Sequence, residues 1–250
     1  MAEPTLDIDG ARATIRLRRP DKRNRIEPPD LVRLIELCDE IEADDGVRVA
    51  VLTSEGPSFC AGYHLGALAE GTRVDVGFGD LCDRIEALAV PVIARIDGNI
   101  HGGGTDLAIA CDLRIARHDI HLQMPAARLA IQYYASGLRR FVEQVGPGAT
   151  KRIFLTALPF EAEELHRIGY LHEVVAPDQL DARVDAVATA IADLAPGAIA
   201  ATKAAINGLA SGSRTVDEVE ERHRASLRTD DHREALRALA EKRPPHFTGR

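Results

Sequence analysis

Hydrophobic and polar positions alternate at the start of the chain. Leu6, Ile8, Ala13, Ile15 and Leu17 are separated by polar residues, with Asp9-Gly10 between the two runs. A period of two about an Asp-Gly pair predicts a β-hairpin over the first twenty residues. Over 29–43 the period changes. Leu31, Leu34, Ile35, Cys38 and Ile41 recur at helical spacing, which predicts an amphipathic helix. Two apolar runs, 47–53 (VRVAVLT) and 91–97 (PVIARID), are rich in β-branched residues and read as buried strands. The polar, glycine-rich stretch 54–80 between them predicts a loop with some mobility. A glycine run leads into a helix over 103–110, and 112–117 follows as a strand. Strand and helix thus alternate through the first two-thirds, which points to an α/β architecture.

Beyond residue 138 the pattern is mainly helical. Segments 147–156, 161–168, 178–194, 196–210 and 216–240 are rich in Ala, Leu, Glu and Arg, with one short strand expected at 170–175. This divides the chain into a core domain, 1–194, and a helical C-terminal region, 195–250. The apolar stripes of the latter need a partner, and a neighbouring subunit is the natural candidate. No internal repeat and no low-complexity tract is visible.

Composition narrows the function classes. Hydrophobic residues make up 45%, charged residues 28% and aromatics 4%, with no Trp. The core must therefore be built from Ala, Val, Leu and Ile. A formal net charge of -8 and a pI of about 5.6 argue against a nucleic-acid-binding surface. Cys38, Cys60, Cys82 and Cys111 form no CxxC pair, so neither a zinc site nor a disulfide framework is expected. Reduced thiols, the absence of a signal-peptide pattern in Met1–Thr5 and the lack of a bilayer-length apolar run point to a cytoplasmic protein with no membrane partner.

Two motifs carry the chemistry. Ser58-Phe59-Cys60-Ala61-Gly62-Tyr63-His64-Leu65 follows the 47–53 strand. Asp97-Gly98-Asn99-Ile100-His101-Gly102-Gly103-Gly104-Thr105-Asp106-Leu107-Ala108 follows the 91–97 strand. Each places glycine where a strand ends, letting the backbone approach a ligand with its N–H groups free. Two such donors converging from two loops would make an oxyanion hole. A glycine triplet alone is a weak signal, since most such runs only make turns. Together, and in this order, the motifs closely resemble the enoyl-CoA hydratase/isomerase (crotonase-like) family. So do Arg19-Pro20-Asp21-Lys22-Arg23-Asn24, Ala110-Cys111-Asp112-Leu113-Arg114-Ile115-Ala116, Met124-Pro125-Ala126-Ala127-Arg128-Leu129 and Gly146-Pro147-Gly148-Ala149-Thr150-Lys151. The resemblance runs over roughly residues 5–210. It implies a spiral of ββα units, a C-terminal helical region that builds a homotrimer or a dimer of trimers, and an acyl-CoA substrate. Coenzyme A then enters as part of the substrate, with no permanently bound cofactor and no metal.

Carried over residue by residue, the resemblance makes the N–H of Tyr63 and of Gly103 the two oxyanion donors. It places CoA near Lys22, Arg23 and the Ala61-Gly62-Tyr63-His64-Leu65 loop. Family hydratases also use two carboxylates. The first falls on Asp106, one helical turn beyond Gly103, where Glu is usual; a first-turn acid that merely favours the helix dipole is the plain alternative. The second would follow Pro125, where this chain has Ala126. His64 replaces the family's aspartate in the first motif and is a candidate proton carrier, as is His101. Tyr133 and Tyr134 are expected to shape the acyl pocket with an apolar body and a polar tip. Asp97 is expected at a strand end away from the pocket, and the Arg139-Arg140 pair on a solvated helix face or at a subunit contact.

Three functions follow. The first is hydration of an enoyl-CoA with Asp106 as acid/base. The second is double-bond isomerisation, which needs a proton shuttle but no activated water. The third is acyl-CoA binding with degenerate catalysis, which the missing acid after Pro125 favours. The scaffold alone does not choose among them.

Overall fold

The computed structural model describes residues 2–64, 66 and 76–249. β1 (Thr5–Asp9) and β2 (Arg12–Leu17) form the expected hairpin, with Leu6 opposite Ile15 and Gly10 at φ +57° in the turn. α1 (Pro28–Ala43) opens with proline in its first turn, where the lost N–H has no helical partner anyway. The Asp30 carboxylate accepts from the Glu27 N–H at 3.0 Å and closes that end.

Three strand–strand–helix turns follow. β3 (Val49–Ser54) leads to β4 (Ser58–Cys60) and α2 (Phe78–Ala87). β5 (Val92–Ile96) leads to β6 (Asn99–His101) and α3 (Gly104–Ile109). β7 (Leu113–Arg117) leads to β8 (His121–Gln123) and α4 (Ala135–Thr156). The first strand of each turn joins one sheet, ordered β1-β2-β3-β5-β7-β10, and the second joins another, ordered β4-β6-β8-β9. β9 is Phe160–Glu161 and β10 is Glu173–Val175. All pairs are parallel except β1–β2 and β8–β9. This is the ββα spiral that the resemblance implied.

Every residue of β3 is buried because both faces of its sheet are covered. Val49 and Val51 join Ile93 and Ile115 against Leu180, Val184 and Ala188 of α6 (Leu180–Ala192). Ala50 and Leu52 turn the other way, into the main core with Leu34, Leu37 and Cys38 of α1 and Leu81 and Ile85 of α2.

Several elements depart from expectation. β4, β6, β8 and β9 are two or three residues long, too short for a period to register. β4 lies inside the stretch expected as a loop, of which residues 65 and 67–75 are outside the described set. α2 occupies a segment where no element was expected. α4 begins earlier than expected, at Ala135, and is interrupted at Gly146 (φ 75°, ψ 163°) before restarting on Pro147. The single segment expected at 216–240 is two helices, α8 (Val216–Ser226) and α9 (Asp230–Glu241). Thr229 makes the break, its hydroxyl capping α9 through the His232 N–H at 3.1 Å.

α5 (Ala162–Arg167) precedes β10, and α7 (Pro196–Ser211) opens the C-terminal region. α7 is tied to the core by Lys203, whose Nζ donates to Asp112 at 2.6 Å and to the Val90 carbonyl at 3.1 Å. Ile206, Leu236 and Leu239 in this region are largely exposed. No single described helix is long and apolar enough to cross a membrane.

Candidate active site

The two glycine motifs meet. Gly62 sits at φ +83°, and a Cβ there would lie 2.4 Å from the Gly103 nitrogen. A Cβ on Gly104 would lie 2.3 Å from the Cys60 carbonyl oxygen. Only glycine lets the end of β4 rest against the start of α3 this closely. On one side of Tyr63 the backbone is pinned, since Ile26 N–H donates to Gly62 O at 2.8 Å and His64 N–H to Ile26 O at 2.9 Å. Alternation along the strand turns the Tyr63 N–H to the other side. In the second motif Gly102 N–H donates to Gln123 O and Thr105 N–H to Gly102 O, leaving the amides of Gly103 and Gly104 between them. Neither the Tyr63 nor the Gly103 N–H has an acceptor among the described residues, and both residues line one cavity.

α3 is held at both ends. Tyr170 donates its hydroxyl to Thr105 O at 2.7 Å. The fully buried Arg114 guanidinium donates to Cys111 O at 2.7 Å and Ile109 O at 3.3 Å, meeting carbonyls that the helix end leaves unpaired. Burial pulls the Arg114 pKa below its ordinary value.

The cavity has a volume of about 820 Å³. Leu31, Phe78, Met124, Leu129, Ile131 and Tyr133 give it an apolar wall, with Tyr134 and Ser136 among its polar groups. A few polar groups in a mostly apolar concavity suit a small organic ligand. Ala126 lines it too, so the position after Pro125 faces the cavity with a methyl group.

Asp106 lies behind this wall. It is fully buried and is not on the cavity surface. Its Oδ1 accepts from Arg140 Nε at 2.8 Å and its Oδ2 from an Arg140 terminal nitrogen at 2.8 Å. Tyr134 also donates its hydroxyl to Oδ2. Arg140 reaches on to Asp83 at 2.5 Å and Glu86 at 3.3 Å. Burial alone would lower the Arg140 pKa, but the hydrogen bonds and charge of Asp106 raise it instead. Arg140, expected on a solvated helix face or at a subunit contact, is fully buried within the chain. The reason is its partner: Asp106 is a distant residue brought beneath α4 by the spiral. Arg139 does face outward, toward Glu86 and Glu143. Burial pushes the Tyr134 pKa up, helped by Cys82 and Asp106.

The remaining expected residues are spread more widely. His64 turns its Nδ1 to Glu27 at 2.6 Å and does not line the cavity. Glu27 also pairs with Arg25 at 2.6 Å, and these bonds lower its pKa against the opposing effect of burial. His101 lines the cavity with its ring edge-on to His121 at 5.2 Å. Burial, then His121 and Arg23, lowers its pKa. Lys22 and Arg23 are exposed, at the end of the Pro20–Lys22 turn, and are not on the cavity wall. Ala61 lines the cavity and Gly62 is buried against Gly103, whereas Leu65 lies outside the described residues. Asp97 pairs with Arg95 and Arg117 away from the cavity, as expected. Nothing in the local sequence pattern marks Arg140 or Tyr134 as partners of Asp106.

With this geometry in place, comparison with known proteins is informative. The model of the enoyl-CoA hydratase/isomerase family matches residues 7–250. A Bacillus subtilis (strain 168) protein named for the hydratase/isomerase family is 35% identical over 95% of this chain and 94% of its own. The short-chain-enoyl-CoA hydratase of Clostridium acetobutylicum is 32% identical, covering 95% of this chain and 94% of its own. The crystal structure of the enoyl-CoA hydratase from Bacillus anthracis superposes with a TM-score of 0.90, covering all of both chains at 28% identity.

Proposed function

The chain belongs to the enoyl-CoA hydratase/isomerase family, and on that premise we propose that it is an enoyl-CoA hydratase-like enzyme working through a backbone oxyanion hole. The observation that carries this is the pair of N–H groups of Tyr63 and Gly103, without acceptors among the described residues and lining one apolar cavity. A thioester carbonyl seated there gains negative charge as water adds to the β-carbon, and two preorganised donors stabilise that charge more than the ground state. Coenzyme A arrives with the substrate and needs no permanent cofactor. Its phosphates pass Lys22 and Arg23, exposed beside the first motif. Ala61 and Gly62 flank the thioester.

The acid/base role goes to Asp106, whose place after Gly103 matches the first carboxylate of the family. With Ala126 at the second position, hydration is slower than in a two-carboxylate enzyme. Isomerisation with one acid/base, or acyl-CoA binding without turnover, are the competing readings; the engagement of Asp106 by Arg140 favours the last. The exposed apolar residues of the C-terminal helices support self-association, and we take the assembly to be a homotrimer or a dimer of trimers and its place to be the cytoplasm.

Incubation with crotonyl-CoA tests the reading, a short enoyl thioester in keeping with the Clostridium relative. Loss of the conjugated-thioester absorbance is the expected result. Movement of the double bond in a 3-enoyl-CoA, or tight binding without turnover, would replace hydration by one of the competitors.

A further inference from the structure

Asp106 has no open route to the cavity. It is fully buried, both of its oxygens are occupied by Arg140, and Tyr134 covers Oδ2 from the cavity side. Tyr134 is the residue of this cluster that both lines the cavity and touches the carboxylate. Building on the oxyanion-hole reading, we propose that the Tyr134 hydroxyl is the group that exchanges protons with the bound acyl chain, with Asp106 as the positioning residue and proton store behind it.

The placement of Tyr134 is specific. Its ring stacks on Tyr133 with centroids 4.4 Å apart, and Tyr133 OH donates to Tyr134 OH at 3.4 Å. Gly79 supports the other edge, where a Cβ would come within 3.1 Å of the ring. The oxygen therefore has one proton, directed at Asp106, and lone-pair density left for a donor in the cavity. Arg140 donates to both carboxylate oxygens of Asp106 and fixes their direction toward Tyr134. Burial holds Tyr134 protonated, so no free tyrosinate is involved.

The proton steps balance through this pair. In hydration, a water O–H bond breaks as its oxygen bonds the β-carbon. The water proton passes to the Tyr134 oxygen while the Tyr134 proton passes to Asp106 Oδ2, and the electron pair of the double bond comes to rest on the thioester oxygen. The relay then runs backwards. Asp106 returns its proton to Tyr134, Tyr134 delivers one to the α-carbon, and the electron pair leaves the thioester oxygen for the new C–H bond. One relay serves both ends of the double bond, so hydration proceeds, more slowly, without a carboxylate at Ala126.

The test uses a reaction that needs the relay but not hydration. The α-protons of butyryl-CoA should exchange with D2O in the presence of the full-length protein, followed by NMR. Tyr134→Phe and Asp106→Asn should each slow exchange by about 10²–10⁴, and the double variant should be no slower than the worse single one. Binding of butyryl-CoA should persist in all three. If Tyr134→Phe exchanges at the wild-type rate while Asp106→Asn does not, Asp106 acts directly and the proposal falls. It also falls if both variants exchange normally, or if the wild type binds the thioester and exchanges nothing. A wild type that exchanges but leaves crotonyl-CoA intact would sink the hydratase reading and keep the relay. Should Tyr134→Phe fail to fold, the wild type decides alone. Loss of deuterium from α-deuterated butyryl-CoA should show a primary solvent isotope effect, because the Tyr134 proton comes from solvent. No such effect would mean direct transfer to the carboxylate.

Discussion

The cavity has two walls built on different principles. The wall formed by Tyr63 and Gly103 is backbone: its donors are amides, and its shape is set by glycines at places where a Cβ would collide with the opposing loop. The wall that Tyr134 contributes is side chain, backed by Asp106 of α3 and Arg140 of α4, which lie behind it and are held by charge in a buried setting. A backbone wall tolerates almost any side chain at Tyr63. A charged, buried side-chain wall tolerates very little, since removing one partner strands the other without water. The difference sets the order of the expected effects.

The largest effect should come from Arg140→Met. The substitution keeps much of the volume but leaves Asp106 buried beside Tyr134 without its cation. The loss of a buried ionic partner costs about 3–5 kcal/mol, read as a drop in the denaturant midpoint at unchanged slope. A further Asp106→Asn change in the same chain should recover part of the loss, because the stranded charge is then gone. A drop no larger than that of an exposed arginine such as Arg167 would mean that the cluster is not ionic in solution.

Gly103→Pro strikes the other wall. The φ of Gly103 is -59°, which proline accepts, while its N–H is removed. Loss of one oxyanion donor should lower turnover of crotonyl-CoA by about 10²–10³. A Cβ at this position would come within 2.9 Å of the Phe78 ring, so the denaturant midpoint of the variant is measured beside its turnover. Equal turnover in the variant and the wild type would take the amide out of the mechanism.

The walls also differ in how much of them the sequence disclosed. Gly62, Gly103 and Gly104 lie within two short motifs, and each motif follows a strand readable from its β-branched run. Their meeting needed only the spiral that the resemblance implied. The charged wall could not be read the same way. Asp106 and Arg140 are 34 residues apart, and nothing in the local pattern of α4 marks Arg140 as inward-facing. A charged residue in a helix normally signals solvent or a subunit contact, which is how Arg140 reads from the sequence. The short strands β4, β6, β8 and β9 escaped for a different reason, being shorter than a recognisable period. The break at Thr229 was readable in principle, since Thr-Asp-Asp ahead of an apolar stripe is a helix-start signal.

Ala126→Glu probes the seam between the two walls. Ala126 lines the cavity, and a carboxylate there would add the second acid that the proposed mechanism lacks. If a missing proton donor limits the rate, hydration should rise by about tenfold, a fraction of what a well-placed acid contributes. A rate that stays flat while crotonyl-CoA still binds would show that the Tyr134 wall already supplies both proton steps.

The smallest effect expected is at the cavity's outer approach, and it bears on where the backbone wall ends. Lys22 is exposed, at the end of the turn that precedes Arg23, and off the cavity wall. A lysine there meets a phosphate as a solvated point charge, with no fixed fork to bind it. Lys22→Ala should therefore weaken CoA binding only about two- to fivefold, the range of an exposed ion pair. The salt dependence of the dissociation constant should fall with it, because one screened contact is lost. Turnover at saturating substrate should stay the same, since the lysine is remote from the thioester. Titration of CoA by calorimetry at low and high salt separates the outcomes. Parallel salt curves for variant and wild type would place the phosphates elsewhere on the rim, and would end the nucleotide-facing part of the site at Ala61.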